Sequence, residues 1–250
     1  MLILVSNDDG VHSSGIRSLA SSLKKIAGAR VVVVAPDRER SATAHSLTIH
    51  RPLRVEKLAH DFYAVDGTPT DSVMLAVNEL LKKKPDLIVS GINRGSNLGE
   101  DVHYSGTVSA AVEGAIMGIP SLAFSVMGLN HFHFDVAAAF ARKLAKQVLK
   151  EKLEPGVLLN VNVPNIPKSK IKGVKVVQLG RHNYGGIIIE KNDPRGRPYY
   201  WIGGNPAVFE DIKDSDCEAC QNGYIAVTPI HVDMTYRKYI EKLKKWNLKI

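Results

Sequence analysis

Three short runs without a polar interruption limit what this chain can fold into: residues 2–5 (LILV), 31–35 (VVVVA) and 87–89 within 86–90 (DLIVS). A strand with one wet face alternates apolar and polar residues. A strand with no alternation is covered on both faces, which is the mark of a parallel sheet under helices. The intervening segments carry apolar residues at helical spacing. They are Ile16, Leu19, Ala20, Leu23 and Ile26; then Val73, Met74, Val77, Leu80 and Leu81 within 70–81; then the alanine-rich 108–117 and the long 135–150. Residues 121–126 add a further strand. Strand alternating with helix predicts an α/β fold, a doubly wound, mostly parallel Rossmann-like sheet.

The pattern changes after Val157. Segments 157–163, 174–179, 187–189 and 199–202 read as strands with no helix between them, punctuated by Gly185, Gly186, Gly203 and Gly204. They predict an antiparallel hairpin extension. A last strand, 224–227, precedes a C-terminal helix. The expected division is a catalytic core over 1–165 and a β-rich extension with a projecting hairpin over 166–250, the last core strand lying near 224–228. The 250 residues are ample for a buried core.

Ligands of open α/β sheets bind beyond the carboxyl ends of the strands, so the residues just after each strand carry the information. After the first strand comes Ser6-Asn7-Asp8-Asp9-Gly10. In solvent this is an ordinary turn. In a cleft, adjacent carboxylates need a cation to stay ionised together, and oxygen donors without His or Cys suit Mg²⁺ or Mn²⁺. After the second strand comes Pro36-Asp37-Arg38-Glu39-Arg40-Ser41, which is either a salt-bridged surface loop or a source of cations and a hydroxyl for a phosphate or metal. After the third, Gly91 to Gly99 (GINRGSNLG) is a flexible loop or a close backbone approach offering Asn93 as a neutral ligand. Tyr104-Ser105-Gly106-Thr107 opens a helix, either as a plain cap or as an anion cradle. Taken together, these segments fit a metal-bound phosphate. Asp8 and Asp9 supply charge and the catalytic carboxylates, Ser41 and Asn93 supply neutral oxygens, and Ser105 to Thr107 the cradle. One carboxylate activates water or attacks phosphorus itself. No Walker loop, G-x-G-x-x-G after the first strand or G-x-S-x-G elbow is present.

The net charge of +8 favours anionic partners. A rival reading is a non-catalytic nucleotide- or phosphosugar-binding module, which would need no acidic pair. Nucleic-acid binding by the basic tail is a second rival, since Tyr236, Tyr239 and Trp246 lie among lysines. Those residues share helical spacing with Ile240 and Leu243, which speaks instead for a helix docking on another subunit. Cys217 and Cys220 read as two loop thiols, with a local disulfide open to them; the pair His131 and His133 carries no strong metal signal, and His12, close to the acidic pair, is either a bystander or a residue for acid–base work or substrate contact. With no apolar run near 18 residues and no basic, apolar leader, the expected location is the cytoplasm.

Across nearly the whole chain the sequence resembles the SurE family, the survival-protein nucleotidases. The resemblance rests on SNDDGVHSSGI (6–16), APDRERSATAHSLT (35–48), GTPTDSV (67–73), SGINRGSNLGEDVHYSGTVSAAVEG (90–114) and TPIHVDMT (228–235). It implies hydrolysis of nucleoside 5′- and 3′-monophosphates, with short polyphosphate a further substrate in some members. One divalent cation per subunit, Mg²⁺ or Mn²⁺, would be held by Asp8, Asp9, Ser41 and Asn93. Phosphate contacts fall on Asn7, Asn97, Ser105, Gly106 and Thr107. Members are dimers or tetramers that exchange the hairpin and C-terminal segment. Ala42 and His45 depart from the pattern expected of their loop.

Overall fold

Apolar residues that follow one another in a strand must point to opposite faces, and both faces are covered here. In the computed structural model, which describes residues 1–128, 130–183, 188–202 and 208–248, β1 (Leu2–Ser6) is buried throughout. Ile3 and Val5 pack with Ile16, Leu19 and Leu23 of α1 (Ser14–Leu23). Leu2 and Leu4 join a separate cluster on the other face. Each such side chain contributes about 1.5–3 kcal/mol by leaving water.

The chain continues through β2 (Arg30–Pro36), β3 (Val55–Ala59), β4 (Phe62–Val65), α2 (Pro69–Leu75) and β5 (Leu87–Arg94). Next come α3 (Gly106–Ile116), β6 (Ser121–Met127), α4 (Phe134–Glu151) and β7 (Val157–Pro164). Then follow β8 (Gly173–Val176), β9 (His182–Asn183), β10 (Ile188–Asn192), β11 (Pro198–Ile202), β12 (Val208–Phe209), α5 (Asp216–Gln221), β13 (Tyr224–His231) and α6 (Arg237–Leu243). Among the described residues the main sheet has nine strands in the order β3-β4-β2-β1-β5-β6-β7-β13-β8. From β4 to β7 every pairing is parallel. The chain winds outward from β1 to one edge, returns, and winds outward from β5 to the other. The reversal therefore lies between β1 and β5, where α/β sheets open a crevice.

The α/β class is as expected; several boundaries differ. β3 and β4 form an antiparallel edge hairpin that the apolar pattern does not reveal, because β3 is largely exposed. The predicted helix over 70–81 is two elements. Thr68 and Asp71 form a reciprocal capping box on α2, and the hydrogen bonding then lengthens to a π turn over Ala76–Leu80. The predicted strand over 174–179 is β8, an edge strand of the main sheet beside β13. β10 and β11 pair as the separate antiparallel hairpin. Gly185, Gly186, Ile187, Gly203 and Gly204 lie outside the described residues.

Cys217 and Cys220 are not loop thiols. They sit on α5, capped by Ser215, and pack with Leu98 and Ala226 in the interior. Both are free. Burial pushes both thiols up, that of Cys220 to about 12, so neither is a ready nucleophile.

Candidate active site

The end of β1 is shaped by Asn7, whose side chain is fully buried. Its Nδ2 donates to Gly10 O at 3.0 Å and to Ser13 Oγ at 2.8 Å, closing the turn into α1. Gly10 has φ +90°, and a Cβ there would lie 2.9 Å from the Arg38 carbonyl carbon, so only glycine closes this turn. The turn presents Asp8 and Asp9 to a pocket of ≈ 620 Å³, which Ser41, Asn93, Asn97 and Ser105 also line. Asn7, Gly106 and Thr107 stand behind that lining rather than in it.

Asp8 is 6% exposed, and the Thr107 hydroxyl at the start of α3 donates to its Oδ1. Burial raises the Asp8 carboxyl to about 6; the Thr107 bond opposes the rise and the charge of Asp9 adds to it. Gly106 allows this approach, since a Cβ there would come 2.7 Å from Asp8 Cβ. Ser105 caps α3, its Oγ accepting from Val108 N at 3.1 Å. The helix thus directs its free N–H groups and the positive end of its dipole toward the acidic pair.

The β5–β6 register shifts between Ser90 and Asn93, which re-aims the end of β5. Asn93 Nδ2 donates to Gly95 O at 3.0 Å, leaving its carbonyl oxygen as the group available to a cation. Arg94 holds Asp9, with its backbone N–H 3.2 Å from Oδ2 and its Nε 3.1 Å from Oδ1. Its other arm reaches Glu39 Oε2 at 3.1 Å. Ser41 Oγ donates to Glu39 Oε1 at 2.7 Å. Burial raises the Asp9 carboxyl, and Arg94 opposes the rise.

Arg94, Glu39, Asp101, Tyr104 and Phe132 are pocket residues not singled out from sequence. Their signal was weak: Arg94 ends β5, and its partners Asp9 and Glu39 are remote in sequence. Phe132 stacks on Phe134 with centroids 5.4 Å apart and adds an apolar wall, whereas its neighbours His131 and His133 do not line the pocket, nor does His12.

The lining has four carboxylates, Asp8, Asp9, Glu39 and Asp101, and one guanidinium, Arg94. A phosphate dianion would be repelled unless a cation joined it. Among the described residues no cluster of three or more His, Cys, Asp or Glu forms a metal site. The donors this lining offers are carboxylates with a hydroxyl and an amide oxygen, a set that suits a hard divalent cation.

The survival protein SurE family model matches residues 3–186. A protein named 5′-nucleotidase SurE from Geobacter sulfurreducens is 51% identical over 249 residues, covering 99% of this chain and 94% of its own. Its namesake from Symbiobacterium thermophilum is 47% identical over 252 residues, covering 99% and 98%. The crystal structure of the SurE protein from Aquifex aeolicus superposes with a TM-score of 0.87 at 45% identity, covering 98% of both chains. Sequence and fold agree from end to end, and the chain belongs to the SurE family.

Proposed function

We propose that this chain hydrolyses nucleoside 5′-monophosphates to nucleoside and phosphate, with Asp8 and Asp9 as its catalytic carboxylates. The observation that carries the reading is the acidic pair enclosed in a pocket against the N-terminus of α3. The relatives named 5′-nucleotidase SurE support the substrate class. Nucleoside 3′-monophosphates and short polyphosphate present the same terminal phosphoryl group and extend the proposal.

One divalent cation per subunit, Mg²⁺ or Mn²⁺, would be held by Asp8, Asp9, Ser41 and Asn93. Bound there, it neutralises the acidic lining and lends positive charge to phosphoryl oxygens and to coordinated water. The chain's own residues do the rest. The N–H groups of Gly106 and Thr107 and the Ser105 hydroxyl receive phosphoryl oxygens, as at other helix N-termini, the Ser105 N–H being held by the Asp101 carbonyl, and Asn97 flanks them. Asn7 serves this subsite by holding the turn. Asp8, fixed by Thr107, is the stationary anion. Asp9, the less enclosed carboxylate, accepts the proton of attacking water or attacks phosphorus itself; trapping an aspartyl-phosphate in a single turnover separates the two. Phe132 and Tyr104 offer surface for the base.

Tyr200, Trp201, Tyr236 and Trp246 are exposed on the hairpin and C-terminal segment, which supports a homo-oligomer, dimer or tetramer, built through the region 166–250. Among the described residues no helix is long and apolar enough to cross a membrane. Two buried, unpaired thiols fit a reducing cytoplasmic setting.

The test is release of inorganic phosphate from a panel of nucleoside monophosphates. Activity lost in EDTA and restored by Mn²⁺ or Mg²⁺ is expected. Nucleotide binding without phosphate release in the presence of either metal would overturn the proposal in favour of a binding module.

A further inference from the structure

β7 reads VLLNVNVP, an apolar strand interrupted by two asparagines at alternate positions. Period two puts Asn160 and Asn162 on one face, with Leu158, while Val161 and Val163 pack in the cluster on the other. Asn160 is 0% exposed and Asn162 1%. A primary amide at such a position is costly to bury unless its hydrogen bonds are met.

Both amides turn to one residue of the pocket rim, Asn162 with its oxygen and nitrogen and Asn160 with its nitrogen alone, its Oδ1 having no partner among the described residues. Asn162 Oδ1 accepts from Asn97 N at 2.8 Å, and Asn162 Nδ2 donates to Asn97 O at 2.9 Å, so a single side chain clasps both main-chain groups of Asn97. Asn160 Nδ2 donates to the same carbonyl at 2.8 Å. The Asn97 side chain is fixed from β6, its Nδ2 donating to Ser125 Oγ at 2.7 Å, and Ser125 lies opposite Asn162 in the sheet register. Two residues on, Gly99 N donates to Asp216 Oδ2 at 3.0 Å. The loop after β5 is thus moored to the floor of the sheet at its pocket-lining residue. Packing alone would be met by valine or leucine in β7; the amides add only the hold on Asn97.

We infer that Asn160 and Asn162 are positioning residues of the phosphate subsite, which set the place of Asn97 relative to Asp8 and Asp9. The inference rests on the phosphatase reading. It assigns the two asparagines no contact with substrate and no part in holding the cation, whose candidate ligands sit on other strand ends or before this point of the loop.

The test uses full-length Asn162→Leu, Asn160→Leu and the milder Ser125→Ala, with Thr228→Val as the control. Thr228 is buried on β13 opposite Asn160, and its hydroxyl has no hydrogen-bond partner. Wild-type turnover of a nucleoside monophosphate with Mn²⁺ tests the phosphatase reading on its own. Given that turnover, KM and the inhibition constant of inorganic phosphate should rise about tenfold in Asn162→Leu, and a few-fold in Asn160→Leu and Ser125→Ala. The Mn²⁺ dissociation constant, read by calorimetry, should stay within about threefold, and Thr228→Val should change neither KM nor phosphate inhibition. Unchanged KM and phosphate inhibition in the asparagine variants, with only a lowered Tm, would overturn the inference. If the leucine variants do not fold, Ser125→Ala decides: a raised KM supports the mooring, and a wild-type KM overturns it.

Discussion

Arg94 Nε stands 3.1 Å from Asp9 Oδ1 while the same side chain reaches Glu39, so the pocket's one guanidinium bridges two of its four carboxylates. A cation binding to Asp9 must compete with that bridge. Arg94 is 45% exposed, so solvent screening keeps the pair's worth to about 1 kcal/mol or less. Arg94→Gln is therefore expected to tighten Mn²⁺ binding by a few-fold in calorimetry. Weaker binding would mean that the guanidinium orients Asp9 for the ion.

The buried carboxyl of Asp8 makes stability fall with pH. Its value of about 6 in the folded chain lies above the ordinary 3.8, so the folded state holds this proton more tightly than the unfolded state does. The stabilisation is full below about pH 4 and is lost as pH rises through about 6, a loss of about 3 kcal/mol. Urea titrations of EDTA-treated protein at acid and at alkaline pH should show it. Asp8→Asn should flatten the dependence, keep the fold and abolish turnover. A variant with near wild-type activity would remove Asp8 from the chemistry.

Gly106→Ala puts a methyl group 2.7 Å from Asp8 Cβ and 3.0 Å from its Oδ2. Either α3 retreats or Asp8 turns. The expected result is a stability loss of about 1–3 kcal/mol and a fall in kcat/KM on the order of a hundredfold, measured by urea titration and phosphate release. Full activity would show that the helix start tolerates displacement.

Trp246 and Tyr236 are 52% and 68% exposed. If a second copy covers them, Tyr236→Ser with Trp246→Ser should shift the mass in light scattering toward the monomer. The subunit's own stability should change by no more than about 0.5 kcal/mol, because neither side chain is buried within it. An unchanged mass would place the interface elsewhere.

Sequence alone reveals the parts of this molecule whose physics is local. Unbroken apolar runs place β1, β2 and β5 in a doubly covered sheet, because burial on two faces leaves no other pattern. Asp8 and Asp9 are legible because adjacent like charges are conspicuous wherever they fall. β3 is not, since an exposed edge strand reading VEKLA has no apolar stripe to betray it. α5 is equally hidden: six residues are too few for helical periodicity to emerge. The bridge from Arg94 to Asp9 joins residues 85 positions apart, and nothing near either one announces the other. Asn160 and Asn162 did leave a trace, two polar residues at alternate places in an apolar strand, which read correctly marks a buried polar contact.

The winding reversal between β1 and β5 has a bearing on redesign. The acidic turn, the loop after β2 and the stretch from β5 into α3 belong to different crossovers, and each is anchored to its own strand. A longer or altered segment can replace one of them while the others keep their attachments. Wider substrate choice is therefore reachable by exchanging the segment between β6 and α4 that carries Phe132, a further crossover, with Asp8 and Asp9 untouched.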